Sequence, residues 1–235
     1  MTLDDLEKQC PKLKDYTKNM PSDIRSRSTV RIHPAGSIIH QKNMELTYFG
    51  IVAWGESRVI NEFENGNVYM IESNKAIDFI GEVTILAGMP KTSVTIETTT
   101  ELAAVYISRK DAERWLAEDL NILSLVSQKV AFKLYRSSYS NGAKLFYPPS
   151  YLLLDYLVKY GEQLGLGGPA SQERIVLSKT RQILQEELGI NVKTLNRTIR
   201  QLKDEGFLGV EKGKITFDLA QYEKSVSWLK TAKNQ

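Results

Sequence analysis

The chain has 235 residues, 42% of them hydrophobic and 25% charged, enough for one large globular domain or two ordinary ones. Its 31 basic and 28 acidic side chains leave a net charge of +3, which excludes a uniformly cationic, histone-like surface and places any electrostatic signal in local distribution. With one cysteine, Cys10, and two histidines, His33 and His40, an intrachain disulfide, a structural zinc site and a cysteine-ligated iron–sulfur cluster are excluded, so no metal or cofactor is expected.

The first ten residues carry Asp4, Asp5 and Glu7 where a secretory signal needs cations and an apolar core, which predicts a cytoplasmic chain. From Thr29 to Ile107 the pattern is short and extended: Val30/Ile32, Ile38/Ile39, Tyr48 to Trp54, Val59/Ile60, Val68 to Ile71, Ile77 to Ile80, Val94/Ile96 and Leu102 to Ile107. Brief β-branched runs separated by Gly, Asn and Pro describe an all-β roll rather than βαβ units. Alternation from Thr92 to Thr98 predicts one strand with a buried and a solvated face. His33 and His40 fall in such segments and are expected as surface or turn residues, not haem ligands.

After Ser108, a suitable cap, the period becomes helical, with Trp115, Leu116, Leu120, Leu123, Val126, Val130 and Leu134 at spacings of three and four. A break at Asp119 to Asn121 gives a short helix and then a long one of about 18 to 20 residues, about 30 Å. Leu116, Leu120, Leu123, Ser127, Val130, Leu134 and Ser137 follow a near-heptad register, which suits a seam with a second copy; the alternative is packing on the β domain alone. Asn141-Gly142 and Pro148-Pro149 predict a hinge. Residues 1–143 hold 17 basic and 18 acidic side chains, whereas 144–235 hold 14 and 10, so the basic excess lies beyond this hinge. Ser150 can cap an amphipathic helix carrying Leu153, Leu154, Leu157, Tyr160 and Leu164, closed by Gly165 to Pro169. The densest apolar stretch, Tyr151 to Val158, contains Asp155 and is far shorter than a membrane span, so no membrane partner is expected.

Thr180 can cap a short helix with Ile183, Leu184 and Leu188 inside; Gly189 permits a sharp turn, and a second helix runs from about Asn191 to Glu205. On it Leu195, Ile199 and Leu202 share one face, and Lys193, Arg197 and Arg200 share another offset by two residues, about 200°. Asn196 and Gln201 flank the cations. Phe207 to Phe217 reads as a hairpin with a basic tip at Lys212 and Lys214. Helix, glycine turn, basic helix and hairpin spell a winged helix-turn-helix, suited to the major groove of double-stranded DNA. Candidate DNA contacts are Thr180, Arg181, Asn191, Lys193, Thr194, Asn196, Arg197 and Arg200.

Phe79-Ile80-Gly81-Glu82 followed by Leu86-Ala87-Gly88, the Leu116 to Ser138 helix and the Thr180 to Leu208 window together resemble the Crp/Fnr family of bacterial transcriptional regulators. The resemblance implies an α+β chain: an N-terminal β-roll sensor domain of jelly-roll type with short leading helices (1–112), a long dimerisation helix (113–141) and a winged helix-turn-helix domain (142–235). Dimerisation falls to Leu120, Leu123, Ser127, Val130 and Leu134. In the family's cyclic-AMP binders a Gly-Glu pair holds ribose and phosphate, an Arg-Ser pair grips the phosphate and a Thr-Ser pair on the long helix reaches the purine. Here Gly81, Glu82, Ser93, Ser137 and Ser138 match in place, but Thr92 stands where the arginine belongs. A threonine cannot make the charge-assisted bidentate contact a cyclic phosphate needs. Val192, Lys193 and Arg197 stand where the best-known operator readers have Arg, Glu and Arg, which implies a different operator.

The resulting expectation is a non-enzymatic, homodimeric regulator on a near-palindromic operator, with RNA polymerase as partner if it activates and with an effector that the sequence does not name. The rivals are the same architecture with a ligand-free roll serving as scaffold, and a ligand-binding module whose tail contacts protein.

Overall fold

The computed structural model describes residues 1–64, 66–166 and 173–232, without the side chains of 139–145, and the chain divides into two compact units, Met1–Ser138 and Tyr139–Gln235. The first opens with α1 (Leu3–Gln9), a 3₁₀ turn at Pro11–Leu13, α2 (Lys14–Thr17) and α3 (Ser22–Arg27). Thr2 and Asp5 close a capping box on α1, and Leu3, Leu6, Leu13 and Ile24 enter the core.

The strands are β1 (Thr29–His33), β2 (Ile38–His40), β3 (Tyr48–Trp54), β4 (Glu56–Glu62), β5 (Val68–Lys75), β6 (Asp78–Ile80), β7 (Thr95–Thr98) and β8 (Leu102–Ser108), with α4 (Glu82–Leu86) between β6 and β7. They form two four-stranded antiparallel sheets, ordered β1-β8-β3-β6 and β2-β7-β4-β5. Strand alternation divides their side chains. Val52, Ile80, Leu102, Ala104 and Tyr106 meet Val59 and Ile96 of the facing sheet, whereas Phe49, Ile51, Ala53, Ala103, Val105 and Ile107 join the core built with the helices. Strands β3 and β8 are therefore covered on both faces, which is why their sequences read as nearly continuous apolar runs.

The strand expected over Thr92–Thr98 begins only at Thr95. Upstream, Thr92 is buried and its hydroxyl donates to the Gln41 carbonyl at 2.6 Å, while its backbone exchanges bonds with Asn43 and Met44. These tie the segment to the turn after β2 rather than to a ladder. The two histidines also differ from expectation. His40 is buried, with Nδ1 3.1 Å from Tyr48 Oη, and half-buried His33 places Nε2 2.9 Å from Tyr106 Oη. Each tyrosine lends a polar partner that lets an imidazole leave water.

Ser108 caps α5 (Arg109–Glu118) by accepting from Asp111 N. Asp119 ends that helix, accepts from the Trp115 indole at 3.1 Å and from Asn121 N at 2.9 Å, and so starts α6 (Leu120–Phe146). Helix α6 has 27 residues, longer than its pattern predicts, because it continues through Asn141-Gly142. One glycine costs a helix only about 1 kcal/mol, whereas the stop comes just before Pro148, which disfavours helical conformation in the preceding residue. Ile122 and Val126 bury the inner face of α6, and Leu116, assigned above to the seam, is instead buried in the core at the end of α5.

In the second unit α7 (Pro149–Gln163) is capped at Pro148 rather than Ser150, since a proline at the first helical position sacrifices no needed N–H. The Gly165 to Pro169 closure lies partly outside the described residues. Helices α8 (Arg181–Leu188), α9 (Val192–Asp204) and α10 (Leu219–Ala232) pack with α7 around Leu153, Leu154, Leu157, Leu184, Leu195, Leu202 and Leu229. Strands β9 (Arg174–Val176), β10 (Gly209–Glu211) and β11 (Lys214–Asp218) form an antiparallel sheet ordered β10-β11-β9. Neither β9 nor α10 is signalled by the sequence pattern.

Candidate functional site

Two places bring polar chemistry together, the α8–α9 pair and the point where α6 meets the roll. In the first, Thr180 Oγ1 accepts from Ile183 N at 3.2 Å and starts α8. Gly189 ends it at φ 69°, a left-handed conformation that a side chain would strain. Asn191 Oδ1 then accepts from Thr194 N and Gln185 Oε1 from Val192 N, both at 2.9 Å, fixing the entry angle of α9. Leu195, Thr198, Ile199 and Leu202 are buried. Lys193, Asn196, Arg197, Arg200 and Gln201 are exposed on the other side, and Lys193, Arg197 and Arg200 form no ion pair with any described residue.

The remaining candidates divide by task. Thr180 and Asn191 cap helices, and Thr194 is half-buried at the start of α9. Arg181 Nη2 donates to the Gly213 carbonyl at 3.1 Å, bracing the tip of the β10–β11 hairpin against the start of α8; burial pulls its pKa down. That tip is a two-residue loop with positive φ at Lys212 (47°) and Gly213 (79°), the geometry that matches strand twist. Sequence reasoning missed Lys224, whose Nζ donates to the Glu205 carbonyl at 2.6 Å and lies 4.4 Å from the Phe207 ring centroid. A cation there complements the negative end of α9. No local pattern links it to a helix that ends 20 positions earlier.

At the second place, Gly81 caps α4 at φ 87°, and a Cβ there would lie 2.9 Å from Leu46 Cδ2. This turn puts Glu82 inside, 4% exposed. Its Oε1 accepts from Lys133 Nζ of α6 at 2.9 Å, and the same ammonium lies 3.0 Å from Asp78 Oδ2 and 3.8 Å from Glu72 Oε1. Arg136, one turn on, reaches Glu72 Oε2 at 2.6 Å. Burial raises the Glu82 pKa; Lys133 opposes this and Asp78 adds to it. For Lys133, burial works against the charge, yet Glu82 and Asp78 hold its pKa above the ordinary lysine value.

The expected pocket residues are thus only partly assembled. Glu82 does face α6, but its partner there is Lys133, a turn before Ser137 and Ser138. Ser137 is half-buried and Ser138 exposed. Thr92 is consumed by the backbone of residues 41–44, and Ser93 is exposed. The missed residues did leave a signal: Lys129, Lys133 and Arg136 continue at three- and four-residue spacing the buried stripe begun by Ile122 and Val126. On the outer side Leu120 and Leu134 are 79% and 66% exposed, Ser127 is exposed, and Leu123 and Val130 are half-buried.

Burial pushes the His40 pKa down from 6.5 to about 4 and that of Tyr48 up to about 12. Because the folded His40 value lies below the unfolded one, its contribution is present above pH 6.5 and lost as pH falls toward about 4. Over that window the loss is about 3 kcal/mol. Urea unfolding at stepped pH is expected to show this slope, and His40→Gln to flatten it; an unchanged slope would assign it to carboxylates instead.

A two-sheet roll, a long helix and a four-helix unit with a winged hairpin define the class of architecture. Residues 30–119 match the family model of the cyclic nucleotide-binding domain. No curated protein sequence matches significantly. Among solved structures, a crp/fnr-family protein from Eubacterium rectale superposes with a TM-score of 0.71 at 17% identity, covering 88% of this chain and 95% of that one. The c-di-GMP responsive global regulator CLP of Xanthomonas campestris gives 0.69 at 17% identity, with 82% and 95% covered. A CRP/FNR-family transcriptional regulator from Thermus thermophilus gives 0.64 at 18%, with 85% and 98% covered. The chain has the fold of the Crp/Fnr-family transcriptional regulators, with a cyclic nucleotide-binding domain as its roll. Among the described residues no helix is long and apolar enough to cross a membrane.

Proposed function

We propose that this chain is a cytoplasmic, homodimeric transcriptional regulator that binds a near-palindromic site in double-stranded DNA and needs no cyclic nucleotide to do so. The observation that carries the reading is the row of Lys193, Arg197 and Arg200, exposed and without ion-pair partners among the described residues, opposite the buried Leu195, Ile199 and Leu202. Cations so presented meet phosphates and guanine edges in a major groove, and Asn196 beside them can pair with adenine. The DNA-binding set is Lys193, Asn196, Arg197 and Arg200 with Thr180 and Thr194 at the backbone; Asn191 and Arg181 hold the frame. Dimerisation runs along Leu120, Leu123, Ser127, Val130 and Leu134, whose outward apolar groups suit a two-helix seam. RNA polymerase is a partner if the protein activates. The related structures are regulators rather than enzymes, and no catalytic role is assigned.

Selection of bound duplexes from a random pool tests this. The expected outcome is an enriched pair of inverted half-sites about 10 base pairs apart, one turn of DNA, whose affinity falls steeply with salt. A pool that shows no enrichment sinks the reading. Of the rivals, the ligand-free roll is favoured by the Glu82–Lys133 contact. Millimolar cyclic AMP or cyclic GMP is accordingly expected to leave duplex affinity unchanged.

A further inference from the structure

We infer that Lys133 is a built-in ligand of the roll, an ammonium carried by α6 that occupies the carboxylate a nucleotide ribose would need and fixes the helix without any effector. This deepens the proposed function and rests on it for the link to DNA. Three observations converge. First, Glu82 Oε1 already accepts from Lys133 Nζ at 2.9 Å, so a ribose hydroxyl could bind it only by displacing that ammonium. Second, Glu72, Asp78 and Glu82 outnumber Lys133 and Arg136 by one charge. Asp78 is 4% exposed and, among the described residues, its Oδ1 has no hydrogen-bond partner, so the place is already rich in carboxylate oxygen. A phosphate anion would meet repulsion there, the Arg136 guanidinium is already paired with Glu72, and none comes from the segment before β7, because Thr92 takes the arginine's place and bonds to backbone. Third, apolar burial of α6 within the first unit ends at Val126; beyond it, Lys133 and Arg136 make the ionic contacts to the roll at Glu72, Asp78 and Glu82. The stretch of α6 leading toward the second unit is thus anchored by charge rather than by grease. The donor that a ribose hydroxyl would bring to Glu82 is here brought by the chain itself.

The test uses the full-length protein and two separate readouts. Hydrogen exchange over residues 126–138 reports the anchor, and affinity for the selected duplex reports its consequence. Lys133→Ala is expected to lose α6 protection and to weaken duplex binding by about tenfold, within the range typical of coupling between sites. Millimolar propylammonium, which restores the missing carbons and charge, is expected to recover both readouts, whereas propanol recovers neither. Such a variant would be a regulator switched by a small amine. Protection unchanged in Lys133→Ala, or recovery by propanol equal to that by propylammonium, overturns the inference. If Lys133→Ala does not fold, Lys133→Met and Lys133→Arg decide it: protection lost in the first and kept in the second supports the charge anchor, and protection kept in both removes it. Wild-type protein that binds no duplex defeats the DNA reading alone, because the exchange readout still judges Lys133.

Discussion

Replacing Lys193 and Arg197 together by alanine is expected to weaken duplex binding by about 3 kcal/mol, roughly a hundredfold, and to flatten its salt dependence. The two side chains lie one turn apart on the exposed face of α9. Each phosphate contact releases counterions worth about 0.9 in the slope of log affinity against log salt. A loss of nearly two in slope therefore reports two phosphate contacts. A loss of one, with relaxed preference at a single base pair, would mean that one of the two cations reads a base edge, a contact worth about 1–3 kcal/mol. The variant is expected to stay folded, because exposed substitutions away from caps and core change stability by about 0.5 kcal/mol or less. Alanine also suits a helix interior. Unchanged affinity and slope in a folded variant would remove α9 as the DNA-reading element and favour a protein partner for this face.

How much of this was legible in the sequence follows from the range of the interactions. The caps Ser108, Thr180 and the turn at Gly189 are local, and α9 shows both of its faces within 13 residues. The roll was legible as a class because β-branched runs and glycine turns are local too. What failed was long-range or marginal. Strand β9 is three residues long and exists because Thr216, Phe217 and Asp218 pair with it from 40 or more positions away. His40 could be placed inside only by knowing that Tyr48 would meet it. Asn141-Gly142 looked like a break because two weak helix formers stand together, yet their combined penalty is small beside 27 residues of helix. The contacts that α6 makes with the roll lie about one turn before the serines that the resemblance names. The resemblance pointed to Ser137 and Ser138, while Lys133 finds carboxylates 51, 55 and 61 positions away on three different elements. Only the stripe of cations continuing Ile122 and Val126 announced that the buried face of this helix would be ionic.

Lys133→Met is expected to destabilise the first unit by about 3 kcal/mol, the cost of leaving buried charge without its partner. Methionine replaces most of the lysine stem, so lost packing is the smaller part of this effect. The unfolding of this unit can be followed by Trp54 and Trp115 in a Trp228→Phe background, since Trp228 lies in the other unit. Two comparisons separate charge from shape. Adding Asp78→Asn and Glu82→Gln to Lys133→Met is expected to recover much of the loss, because neutral amides fill the same space and hydrogen-bond to one another. Acid is expected to narrow the gap between Lys133→Met and wild type. The folded pKa of Glu82 is raised, so its contribution is most favourable below the unfolded value of 4.5 and is lost as pH rises through the folded value. Removing Lys133 takes away the attraction that opposes this rise, which enlarges the penalty at neutral pH and leaves the protonated state nearly untouched. A gap of equal size at pH 5 and pH 8 would mean that Lys133 serves α6 by its carbon chain, and the charge anchor would have no energetic basis.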